Sequence, residues 1–123
     1  MEIHVRDDPA LTERVWVMAW IFLVAAGLLE VVWAFFMKKS EGFTLFGPTV
    51  ITLITMLASF ALLSLSMKSL PLGTAYTIWT GIGAVGSFAL GIVLLGESAT
   101  PMRLVAAAFI VGGLVMMKLS SAD

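Results

Sequence analysis

No cysteine occurs in the 123 residues, which excludes disulfides and thiol chemistry. The one histidine is His4, ahead of every apolar run, so a buried imidazole metal site is excluded as well. Charge is scarce: 12% of residues are Asp, Glu, Lys or Arg, 60% are hydrophobic, and the formal net charge is −1. A soluble domain carries about 25% charged residues. That deficit, with a mean hydropathy of +1.06, describes an all-α integral membrane protein with room for about four spanning helices and no separate soluble domain. There is no basic stripe for nucleic acid. With no nucleophile–base pair, metal cluster or phosphate loop, neither an enzyme nor a cofactor is expected.

The few charges that exist are informative by position. Seven acids (Glu2, Asp7, Asp8, Glu13, Glu41, Glu97 and Asp123) fall in expected tails or loops, and only Glu30 lies inside an apolar run, Val15 to Met37. An acid near the middle of a spanning helix costs roughly 2.5–3.5 kcal/mol to insert. An anchor would use Leu there, so Glu30 is read as the functional centre. No Lys or Arg lies mid-span. Either Glu30 is protonated at rest, because desolvation disfavours a charge, or its partner is a cation from outside.

Residues 1–17 read as a polar, disordered tail without the basic region of a signal peptide, and Met18 offers an alternative start. The four-helix domain is expected over 18–119, with a short tail over 120–123. In helix 1, Gly27 and Ala26 share a face with Glu30, Trp33 and Ala34 by the i±3, i±4 rule. Small residues there let another backbone approach. Trp33, one turn from the acid, is read as part of the site, the alternative being a packing aromatic. Pro48 suits the first turn of helix 2. The hydroxyls of that helix are expected to bond their own i−4 carbonyls, with Ser59, near mid-span, a candidate to face Glu30. Helix 3 places Tyr76, Trp79, Thr80 and Gly83 on one face. Its glycines Gly81, Gly83 and Gly86 serve either close packing or a bend that moves. Helix 4 has an uncharged run of only Leu104 to Met117, about 21 Å long. It spans if Arg103 and Lys118 snorkel. Ala108, Gly112 and Gly113 mark an association face.

Four spans put Arg6, Arg14, Lys68 and Lys118 on one side and Lys38, Lys39 and Arg103 on the other. So even a balance fixes no orientation, which points to dual topology. Many secondary transporters place their site between two inverted repeats, and an antiparallel homodimer of this chain supplies that architecture. It brings two copies of Glu30 to the midplane, where they titrate as a coupled pair.

The stretches GLLEVVWAFFMKKSEGFT (27–44), Pro48, ASF around Ser59, LPLGTAYTIWTGIGAVG (70–86) and the GES loop at 96–98 resemble the small multidrug resistance family over about Met18 to Lys118. The resemblance implies a proton-coupled exporter in a bacterial inner membrane, with membrane lipid as its surroundings. Glu30 matches the carboxylate shared by proton and substrate. Trp33, Ser59, Tyr76 and Trp79 match the groups around it, Gly27 a close-packed position, and Lys118 a basic residue ending helix 4. Trp33 and the run Trp79-Thr80-Gly81-Ile82-Gly83-Ala84 resemble the guanidinium-exporting subtype, so guanidinium-type cations and protons are the implied partners. The alternatives are a quaternary-ammonium drug exporter and a partner subunit of a heterodimer. Thr77 departs from a more usual Ala, and the N-terminal extension has no counterpart.

Overall fold

The computed structural model describes residues 9–120, and residues 1–8 and 121–123 lie outside it. Four helices follow one another: α1 (Pro9–Lys39), α2 (Phe46–Ser66), α3 (Leu72–Leu95) and α4 (Pro101–Ser120). Each is long and apolar enough to cross a membrane.

One boundary differs from the sequence reading. Residues 9–17, expected as disordered tail, are the first turns of α1. Pro9 opens the helix, where its missing N–H costs nothing and its fixed φ is already helical. Ala10, Leu11 and Glu13 then continue it as good helix formers. The helix has 31 residues and is about 46 Å long, so its first turns extend beyond a hydrocarbon core of about 30 Å. Residues 1–8, the rest of that expected tail, lie outside the described residues, as do residues 121–123.

The ends of α4 settle how its short apolar run crosses. Pro101 starts the helix, and Thr100 Oγ1 accepts a hydrogen bond from the Arg103 N–H (3.3 Å), an N-cap. The 20 residues of α4 reach about 30 Å. The Arg103 guanidinium lies over the Phe88 ring at 5.5 Å and the Lys118 ammonium over the Trp20 ring at 4.5 Å, so each charged head rests on an aromatic face at one end of the helix.

The turns are locally determined. Between α1 and α2, Ser40 is fully buried. Its Oγ donates to Met37 O (2.7 Å) and accepts from Phe43 N–H (3.0 Å). Glu41, Gly42 and Phe43 follow with φ of 50°, 73° and 65°, three successive left-handed residues of which only Gly42 is at ease. Gly96 ends α3 at φ 69°, and Glu97 N–H returns to Gly91 O (3.0 Å), closing the helix end.

Helix α1 is the hub, packing against both α2 and α3, whereas α4 packs on α3. The core is small: Trp20, Leu23, Ala26, Leu63, Ala75, Ile78 and Trp79 are its main buried members. No residue of α4 is buried.

Candidate functional site

Glu30 sits at the crossing of α1 and α3, and glycine makes that crossing possible. A Cβ on Gly27 would stand 2.8 Å from Ile82 Cβ, closer than side-chain atoms approach. A Cβ on Gly83 would collide with the Glu30 carboxylate, and one on Gly86 with Val31 Cγ2. The acid therefore lies directly on the α3 backbone at Gly83. Gly81 points the other way, towards Leu114 of α4. The three glycines thus do two packing jobs: Gly83 and Gly86, three residues apart on one face, admit α1, and Gly81 admits α4. In this arrangement each of the three glycines admits a neighbouring helix, and α3 runs through all three as one helix.

Among the described residues the Glu30 carboxylate makes no hydrogen bond. Glu30 Oε1 is buried without a hydrogen bond, and so is Trp33 Nε1. An unmade bond at a buried polar atom is costly, and here an acid oxygen and an indole N–H, both without a bond, lie one helical turn apart, as Trp20 Nε1 and Thr49 Oγ1 also lack partners elsewhere.

Ser59 does not bond to Glu30. Its Oγ donates to Ala26 O (2.7 Å) and accepts from Trp79 Nε1–H (3.0 Å). Ser59 is fully buried and Trp79 is 7% exposed, so this relay ties α3 through α2 to α1 in a dry interior. Ala26 is four residues before Glu30, and its carbonyl is the one that the Glu30 N–H addresses in an α-helix. Ser59 therefore grips α1 one turn from the acid. Three other α2 hydroxyls bond locally, Thr52 to Pro48 O (2.8 Å), Thr55 to Ile51 O (2.7 Å) and Ser66 to Leu63 O (2.7 Å), whereas Thr49 Oγ1 is buried without a partner.

Around the relay runs a line of aromatic rings. Trp33 meets Phe60 at 6.3 Å between centroids, Phe60 meets Trp79 at 5.9 Å, and Trp79 meets Tyr76 at 5.6 Å. Trp33, Tyr76 and Trp79 are thus brought together, but none donates to Glu30 among the described residues. Trp79 is interior, its N–H committed to Ser59, while Tyr76 is 53% exposed. Phe60, quoted in the stretch around Ser59 but given no role there, is the ring that joins Trp33 to Trp79. Its signal was its isolation, since no other aromatic occurs between Phe46 and Tyr76.

Ala108, Gly112 and Gly113 lie on exposed parts of α4, and a Cβ on either glycine would meet nothing within 4 Å. Lys118 is held over Trp20, remote from Glu30 in sequence and on the opposite end of α1 from Lys39. No cluster of three His, Cys, Asp or Glu side chains is arranged to hold a metal among the described residues.

Four membrane-length helices among the described residues, with α1 as hub and a buried carboxylate between α1 and α3, describe a small multi-pass membrane protein. Residues 18–111 match the family model described as Small Multidrug Resistance protein, and the chain belongs to the small multidrug resistance family, as a multi-pass protein of the bacterial inner membrane. It is 61% identical over 104 residues to a guanidinium exporter of Escherichia coli K12, covering 85% of this chain and 99% of that one. It is 58% identical to a guanidinium exporter of Yersinia pseudotuberculosis, with 85% and 100% covered, and 55% identical to one of Citrobacter freundii, with 85% and 99% covered.

Proposed function

We propose that this chain exports guanidinium in exchange for protons, as an antiparallel, dual-topology homodimer whose two Glu30 carboxylates meet at the membrane midplane. The observation that carries the reading is the Glu30 carboxylate lying unpartnered on Gly83. Identity of 55–61% to proteins named guanidinium exporters supports it.

The chemistry follows from the groups present. Guanidinium is planar, weakly hydrated for a cation and always charged, and its N–H fork meets a carboxylate bidentately. Glu30 of one or both copies binds it and releases protons. Because a proton and guanidinium compete for the same oxygens, the dimer changes facing only when loaded with one or the other. An inward proton gradient then drives guanidinium outward. The free Trp33 N–H, with Tyr76 at the exposed end of the aromatic line, is available to orient a carboxylate of either copy once the second is present. The Ser59–Trp79 relay fixes the α1 backbone that carries Glu30. Gly81, Gly83 and Gly86 supply the thin, close-packed section of α3 at which the two arrangements exchange. The uncovered α4 face with Ala108, Gly112 and Gly113 is where the copies pack.

The test is transport current from purified protein in liposomes on a solid-supported membrane. Guanidinium is expected to give current, coupled to a pH gradient, and tetrapropylammonium none. Comparable current for both would move the chain to a multidrug exporter, and silence for both would make it a partner subunit. Trp33→Gly is expected to narrow the preference for guanidinium over tetrapropylammonium by opening room beside Glu30. An unchanged preference would show that Trp33 only packs.

A further inference from the structure

The family match begins at residue 18, yet α1 begins at Pro9. The added turns carry Arg14 to the same end of the molecule as Lys68, in the turn that follows α2. The two side chains line one groove of about 370 Å³ between α1 and α2, with Ser69 beside them. Below them the groove is apolar. Met18 and Phe22 descend one face of α1, and Leu65 faces them from α2. Met18 is 46% exposed and Leu65 41% exposed, so the chain itself does not cover this surface.

The vertical arrangement is that of a lipid. Arg14 immediately precedes the apolar run at Val15, and Lys68 follows the end of α2 by two residues. Both cations therefore stand at the height of headgroups, above an apolar floor that extends about 12 Å from Arg14 to Phe22. No acid lines this groove among the described residues, and Glu13 lines the adjoining one on the other side of Arg14. Neither cation is in an ion pair among the described residues. Two cations with no ion pair among the described residues, beside a hydroxyl, suit a phosphate that carries net negative charge, and basic pockets between membrane helices hold such headgroups.

We infer that the N-terminal turns of α1 build, with Lys68 and Ser69, a site for one anionic phospholipid, its phosphate at Arg14 and Lys68 and an acyl chain along Met18, Phe22 and Leu65. Phosphatidylethanolamine carries its own cation beside the phosphate and is held less well. The site is separate from Glu30 and needs nothing from the transport reading.

Native mass spectrometry of the purified full chain tests this, titrating phosphatidylglycerol and phosphatidylethanolamine of identical acyl chains. Phosphatidylglycerol is expected to bind tighter. Arg14→Ala and Lys68→Ala are each expected to weaken it about fivefold and the double variant about 25-fold, from the worth of one cation near an anionic headgroup. Arg14→Lys is expected to keep the preference, as is Lys39→Ala at the opposite end. Equal binding of the two lipids by the unaltered chain would overturn the site. So would displacement of phosphatidylglycerol by inorganic phosphate alone, which would mark a free-anion site. A double variant that keeps its lipid preference but loses the dimer would make the groove a contact between copies.

Discussion

Helix α4 and the α1–α3 core are equally apolar to the eye, yet they are held together by different means. Within the core, contact is close and polar. Gly27, Gly83 and Gly86 remove side chains where backbones approach, and Ser59 links Trp79 to the Ala26 carbonyl. Helix α4 has no buried residue, packs on the core through Leu114 and Met117, with Arg103 over Phe88 and Lys118 over Trp20, and leaves Gly112 and Gly113 facing open space. In lipid, apolar surface alone does not drive helices together, and small residues and hydrogen bonds do. The comparison teaches that small residues admit a neighbouring helix within α1–α3, whereas the small residues Gly112 and Gly113 of α4 meet no neighbour among the described residues.

The sharpest way to break this division is at the acid. Glu30→Gln is expected to abolish guanidinium-driven proton flux in liposomes while the dimer, followed by cross-linking, persists. Retained coupled flux would remove Glu30 from the site.

Next come two glycines that separate the regions. Gly83→Ala pushes a methyl group into the Glu30 carboxylate and is expected to weaken guanidinium binding by at least about tenfold, or ~1.4 kcal/mol, in a calorimetric titration. Gly112→Leu meets nothing within one chain and is expected to leave the monomer fold intact but dissociate the dimer on size exclusion. A dimer indifferent to Gly112→Leu would place the interface elsewhere.

A smaller effect is expected at the relay. Ser59→Ala strands the Trp79 N–H in a dry interior and is expected to cost about 1 kcal/mol of stability, read as a lowered thermal midpoint in lipid nanodiscs. An unchanged midpoint would show that water or a re-oriented Trp79 replaces the hydroxyl. The smallest change serves as the control. Thr49 Oγ1 is already buried without a partner, so Thr49→Val, which removes an unsatisfied group at constant shape, is expected to stay within about 0.5 kcal/mol of the parent or to stabilise it.

Much of this was legible in the chain. Apolar runs of spanning length, punctuated by Lys38 to Gly42, Lys68 to Gly73 and Gly96 to Pro101, set four helices, because a bilayer imposes a length on every crossing. The lone mid-span acid singled out Glu30 for the same reason. Less legible was the start of α1. Its first turns are polar and resemble a tail, and only their helix-forming residues behind Pro9 betray them. Ser59 was visible as a candidate but not its role, since a helix of evenly spread hydroxyls does not say which one faces a neighbour. Phe60 carried only a faint signal, its isolation in α2, because one phenylalanine in a membrane helix otherwise reads as lipid-facing.

The sequence by itself determined the number of spans, the position of the one carboxylate and the absence of any internal cation to neutralise it. Only the tertiary structure decided that Gly83 lies under that carboxylate while Gly81, two residues away, serves α4, and that Ser59 reaches past its own helix to Ala26. Composition and spacing fix what a helix is and how deep each residue lies. Which of its faces meets which neighbour depends on how three helices cross, and that is settled by contacts between residues far apart in the chain.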